Sequence, residues 1–248
     1  MNMLKLAVDA AMTLLLLLSM AYETVGPAFG RLFEKISGIP TDGFALGSLM
    51  HECIGSALIL LFFLHLWLNR SLLKNLFRGR LSAVRGVLAL VNVLLTADAV
   101  LLLASGVMIS KSLFAGLPVK GGMSFARTAH MLASYWGYVI MSFHVGLYLD
   151  VMKAEAGLAP APAKHSALRR ALSYAAAAVI MFFGARAFAR RRIGDYMFLR
   201  SQFVFFDFEE PLSRFLLDYI AVMLLFVCLG HIFMLLLRRG GRRKGEHA

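Results

Sequence analysis

Long apolar runs limit this chain to very few folds. Stretches such as LLLLLSMA, ALILLFFLHLWL and IAVMLLFVCLGHIFMLLL each sit within about 20 mainly apolar residues, enough for a helix to cross a hydrocarbon core of roughly 30 Å. Lipid cannot hydrogen-bond a backbone, so segments of this length must satisfy their own N–H and C=O groups as helices. Apolar residues make up 60% of the 248, and the mean hydropathy is +0.73. The sequence therefore predicts an all-α, polytopic helical membrane protein, with six spans near 5–24, 45–69, 84–108, 125–151, 171–188 and 214–237. The first run also imitates a signal peptide, through Lys5, the apolar stretch and Ser19-Met20-Ala21. Asp9 interrupts that run, which is long enough to span, so it is read as a helix that stays. Arg186 closes the fifth span early and must snorkel.

Charge predicts orientation. The net charge is +12, and cations cluster at one side of the spans: Lys5, the 70–85 connection, the 153–170 connection and the tail from Arg238 to Lys244. By the positive-inside rule both termini are expected in the cytoplasm. The connection between the fifth and sixth spans is a misfit, because Arg186, Arg190, Arg191, Arg192, Arg200 and Arg214 fall on the other side. Positive groups that flank spans, rather than pattern one surface, argue against nucleic acid as the partner. Cys53 and Cys228 belong to no Cys-x-x-Cys pattern, which excludes the usual attachment of c-type haem and gives no support for an iron–sulfur cluster.

Two histidine pairs stand out against this background. The second span contains HECIGSALILLFFLH, residues 51–65, and the fourth contains HMLASYWGYVIMSFH, residues 130–144. Fourteen helical steps return to within roughly 40° of the starting face and advance about 21 Å. His51 and His65 thus share a face at two depths, as do His130 and His144. The two spans run in the same direction, so His51 is expected level with His130 on the outer side and His65 level with His144 on the inner side. Intramembrane titratable groups are costly and usually purposeful. Two facing imidazole pairs suit two b-type haems, each with two axial histidines, inside a helical bundle. Iron with two protein ligands has no open position, which favours electron transfer over substrate chemistry. Zinc and copper are disfavoured, since ligands about 21 Å apart cannot share an ion and two histidines alone make a poor site.

Neighbouring residues carry paired readings. Gly137 lies midway between His130 and His144 and would remove bulk between the haems, while Gly55 would do so beneath the outer one; either glycine equally serves close helix packing. Ser105-Gly106 has the same ambiguity. Arg127, one turn before His130, is a candidate partner for a haem propionate. Arg70 beyond His65 is read as flanking the helix end. Asp98, midway along span three, is either a proton relay to a quinone or a hydrogen-bonded packing residue. His231 is expected to bond a neighbouring helix, with a quinone pocket or another cofactor as alternatives; His165 and His247 lie in polar segments.

The stretch SGVMISKSLFAGLPVKGGMSFARTAHMLASYWGYVIMSFHVGLYLDVM resembles the core of the flavinylation-associated cytochromes, a bacterial family of four-helix, two-haem membrane cytochromes similar to ferric-reductase-like domains. The resemblance extends through MHECIGSALILLFFLHLWLNRSLLKNLFRGR and covers roughly residues 5–152. It implies His51, His65, His130 and His144 as haem ligands, a bacterial inner-membrane location and electron exchange with a flavin-carrying redox protein, with no covalent flavin on this chain. Relatives often continue Gly-Leu-His-Trp after the last ligand. Here the residues are Gly146-Leu147-Tyr148-Leu149, which puts any role of that His-Trp pair in doubt.

The remaining third predicts an appendage. The linker GLAPAPAKHS separates a four-helix domain, 1–157, from a two-span extension, 158–248. Between its spans, RRRIGDYMFLRSQFVFFDFEEP is read either as an interfacial cap or as a dock for an anionic partner that covers a quinone or flavin site. A Gly-rich nucleotide motif is absent from the sequence. The functional expectation is transmembrane electron transfer between a quinol or cytoplasmic donor and an extracytoplasmic flavoprotein, in either direction. Its rivals are a haem-free transporter or scaffold, and a ferric or quinone reductase acting alone.

Overall fold

The computed structural model describes residues 3–40, 42–76, 82–117, 121–158, 167–204, 207 and 210–245. Its long helices are α1 (Met3–Met20), α3 (Gly43–Leu68), α5 (Ala83–Ile109), α6 (Met123–Glu155), α7 (Ala167–Arg190) and α9 (Leu212–Gly245); α2 (Tyr22–Ser37), α4 (Arg70–Leu76) and α8 (Ile193–Met197) are shorter. The architecture is all-α and polytopic. Five of the long helices, α1, α3, α5, α7 and α9, are apolar enough to cross a membrane by composition as well as length.

α6 is the exception, and packing explains it. With 33 residues it is about 50 Å long, ample for a crossing, but it lacks a continuous apolar stretch like those of the other five. It is the central helix, packed by α5, α9, α1 and α8, and it buries Ala129, Ala133, Tyr138, Gly137, Ser142 and Gly146. A helix that protein rather than lipid surrounds has no need of a uniformly apolar surface. Small residues let its partners close in: Gly146 meets Gly230 of α9, and a methyl group on either would run into the other helix's backbone at Val227 or Phe143.

α1, α3, α5 and α6 form a ring in which each touches its neighbours, while α3 and α6 stand across the diagonal. Among the described residues, no Cα of α3 lies within 8 Å of one in α6. The C-terminal helices are built onto this ring, since α9 packs along α6 and α7 along α9. Most of the linker between the two expected domains lies outside the described residues.

One element differs from expectation. The first span ends at Met20 rather than running to 24, and the chain turns at fully buried Ala21 into α2. Gly26, Pro27 and Gly30 read as breakers in the sequence. Gly26 and Pro27 are used instead for a close approach, with Gly26 against Gly47 and Pro27 against Gly43 of α3. The helix stops at Gly38, whose φ of 70° is left-handed and whose N–H bonds the Glu34 carbonyl.

Residues 190–204 and 210–219 fold back as a cap against the middle of α6, around residues 135–138. Tyr135 stacks on Tyr196 at 4.7 Å, Trp136 donates to the Met197 carbonyl at 2.8 Å, and Tyr138 donates to the Tyr219 carbonyl. Most of the arginines that fit the orientation rule poorly are paired with nearby carboxylates. Arg191 reaches Glu210 at 2.6 and 2.7 Å and Asp218 at 2.9 Å, Arg190 joins Asp218 at 3.3 Å, and Arg192 bonds Asp195 at 2.7 Å. Burial of the Arg191 guanidinium works against its charge, but Glu210 and Asp218 outweigh it and hold the group above its ordinary range. Cation excess in this connection is thus largely neutralised locally.

Candidate functional site

The site grows from the ends of three helices. Asp42 caps α3 by accepting from the N–H groups of Phe44 and Ala45, at 2.9 and 3.2 Å, and Ser82 caps α5 through the Arg85 N–H at 3.3 Å. α3 and α6 then carry their histidines toward each other across the ring. At the outer level, the rings of His51 and His130 have centroids 6.0 Å apart and planes at 79°. An imidazole nitrogen binds a transition-metal ion at about 2.0–2.1 Å, so two such rings on opposite sides of one ion have centroids about 6 Å apart. At the inner level, His65 and His144 lie close enough to interact electrostatically, with Asp9 of α1 beside them.

Hydrogen bonds set the tautomers. His51 Nδ1 lies 3.2 Å from the Ser19 carbonyl oxygen, which only accepts, so Nδ1 carries a proton. The Ser105 hydroxyl donates to the Leu101 carbonyl at 2.6 Å, leaving its oxygen to accept from His130 Nδ1 at 3.1 Å. His65 Nδ1 donates to Asp9 Oδ1 at 2.7 Å. His65 and His130 thus hold the kind of partner on Nδ1 that metal-binding histidines almost always have, with Nε2 on the far side of the ring. His144 differs: its Nδ1 is buried without a partner among the described residues. Its ring packs 4.8 Å from that of Tyr148, which accepts from Asn92 at 3.2 Å. Tyr148 thus stands beside the last histidine, where the resembled family often has another histidine.

The other expected residues fall unevenly. Gly106 gives His130 room, since a Cβ there would lie 3.4 Å from the ring's Cε1; Ser105 and Gly106 together seat this histidine. Gly55 borders open space. Gly137 does not keep a gap open between the two levels: the space its side chain would fill is taken by the Asp98 carboxyl of α5. The packing reading of that glycine is the one the structure supports. Asp98 has no hydrogen bond or ion pair among the described residues, so the bonded form of its packing reading is not found. Arg127 is exposed and likewise unpaired among them. Arg70 lies over Trp67 at 4.6 Å and donates to its carbonyl at 3.0 Å, as a helix-end residue does. His231 approaches Asp150 of α6 at 3.9 Å, beside the 2.7 Å bond from Arg238 to the same carboxylate.

Two participants escaped the sequence reading. Asp9 looked like an interruption of an apolar run, and only the fold brings it to His65. Glu52, next to His51, accepts from Ser110 Oγ at 2.8 Å and from the N–H groups of Lys111, Ser112 and Leu113 at 2.9, 3.3 and 2.8 Å. It staples the turn after α5 to α3 at the outer end of the site. A carboxylate directly after a ligand candidate was the available signal.

Among the described residues no three histidine, cysteine or acidic side chains converge as a metal cluster. Haem takes four of its iron bonds from the porphyrin and needs only two from the protein, so pairs are the relevant unit. Compared with known proteins, the chain matches no protein-family model, and no curated protein and no solved structure is significantly similar to it.

Proposed function

We propose that this membrane protein carries electrons between the two faces of the bilayer, using two b-type haems held between α3 and α6. His51 with His130 would hold one, and His65 with His144 the other. A haem with two imidazole ligands supplies a one-electron couple and offers no open iron position. The observation that carries this reading is the diagonal pair of helices that stay apart while presenting histidines at two levels. Ser19, Ser105 and Asp9 hold the His51, His130 and His65 rings through Nδ1. Arg127, exposed at the outer end of α6, is suited to an anionic propionate. Resemblance to the flavinylation-associated cytochromes supplies the proposed partners, a quinol or cytoplasmic donor and an extracytoplasmic flavin-carrying protein, and the proposed bacterial inner membrane.

A second reading rests on Asp98, a carboxyl unpaired among the described residues in the middle of α5. It would suit a haem-free transporter moving protons or metal ions along the histidines. Sealed vesicles separate the two. With ferricyanide trapped inside and dithionite outside, vesicles holding purified protein should reduce the trapped oxidant faster than protein-free vesicles, and the His144→Ala variant should not. Equal rates in all three would exclude electron transfer and favour the transporter.

A further inference from the structure

Asp98 occupies the place where both histidine levels act on one group. Gly137 lies seven residues from His130 and seven from His144, so it shares their face of α6 to within roughly 20° and is about 10 Å along the helix from each. The Asp98 carboxyl of α5 fills the space that a side chain on Gly137 would take, on that same face. It is therefore midway between the levels, partly buried, and without a hydrogen bond or ion pair among the described residues. Other titratable and charged groups on the helices packed against α5 are engaged elsewhere or stand at other depths. On α6, Tyr148 accepts from Asn92, and Tyr138 donates to the Tyr219 carbonyl. On α3, Glu52 is held by Ser110 and the backbone after it, His65 meets Asp9, and His51 lies at the outer level beside the Ser19 carbonyl. On α9, Asp218 joins Arg191, while His231 and Arg238 face Asp150. On α4, Arg70 lies over Trp67 and Lys74 is exposed.

An isolated carboxylate shielded from water is costly, and an opposite charge nearby lowers that cost. The iron–porphyrin core of a ferric haem with two neutral imidazoles carries one net positive charge, and that of the ferrous form carries none. Reduction of the two levels therefore removes a positive charge from either side of Asp98 and leaves the cost of burial standing. We infer that Asp98 is a redox-linked proton site, ionised while both levels are ferric and protonated when they are reduced. Each electron comes from the quinol or cytoplasmic donor and turns one ferric centre ferrous. One proton from water joins the Asp98 carboxylate as an O–H bond, and it returns to water when the electrons leave. The carboxyl thus offsets part of the charge that electrons bring into an apolar interior. This rests on the two-haem reading above.

Potentiometric titration of the purified full-length protein, followed by b-type absorbance from mildly acid to mildly alkaline pH, tests it. In the native chain the two midpoints together should fall with rising pH by at least tenfold in redox equilibrium, about 59 mV for one electron. Asp98→Asn, neutral at every pH, should hold both midpoints near the native acid values, and Asp98→Glu should keep the dependence. Reduced-minus-oxidised infrared spectra give a second readout. The native chain should gain a protonated-carboxyl C=O band on reduction, and Asp98→Asn should lack it. Midpoints that ignore pH in the native chain, or that move equally in Asp98→Asn, overturn the inference and leave the two haems standing. A native chain that gains no carboxyl band overturns it too, whatever the variants do. Loss of haem from both variants makes Asp98 a folding element and also overturns it. A native chain with no b-type absorbance sinks the underlying two-haem reading instead.

Discussion

His130 and His144 separate the two levels at the scale of single side chains. His144→Ala should remove chiefly the inner haem and His130→Ala chiefly the outer one, each variant keeping about one haem per chain by pyridine haemochrome. Full retention in both would contradict the ligand assignment. Ser105 gives a subtler handle, because it accepts the His130 Nδ1 proton at 3.1 Å and fixes which nitrogen faces a ligand. Ser105→Ala should loosen haem at the outer level by about 10- to 100-fold, the usual cost of removing such a partner, measured as haem lost to an apo-globin acceptor.

Helix contacts carry their own predictions. Gly230 allows α9 to lie against α6, and a methyl group there would meet the Phe143 carbonyl and the Gly146 Cα, both backbone. Gly230→Ala should therefore cost about 1–3 kcal/mol, read from unfolding in detergent. The cap depends on Arg191, whose side chain is 15% exposed and joins Glu210 and Asp218, each 9% exposed. Arg191→Ala removes the shared partner of two shielded carboxylates, but Asp218 keeps Arg190 at 3.3 Å and Glu210 keeps Arg214 at 3.4 Å, so the cost should be about 1.5–3 kcal/mol, that of a hydrogen bond to a charged group. Unfolding indistinguishable from the native chain would show that the cap contributes little.

Across the whole molecule, what could be read from the sequence depended on how local its cause is. Apolar length and the fourteen-residue histidine interval are properties of single helices; α3 carries both, and α6 carries the interval and the length without the apolar composition. α2 was hidden because its Gly and Pro residues signal a break unless Gly47 and Gly43 of α3 are alongside. Asp9 could not be matched to His65, nor Asp98 to Gly137, without knowing that α1 flanks α3 and α5 flanks α6. Likewise, the ion pairs of the cap could not be read from its run of arginines, because their carboxylate partners lie up to 27 residues away. These parts combine into a ring of helices whose opposite members do not touch, and the account stands on what lies between α3 and α6. Haem per chain, measured by pyridine haemochrome on protein purified after expression with ample haem supply, tests this most directly. The account predicts two b-type haems per chain. A purified, folded chain with none would contradict it.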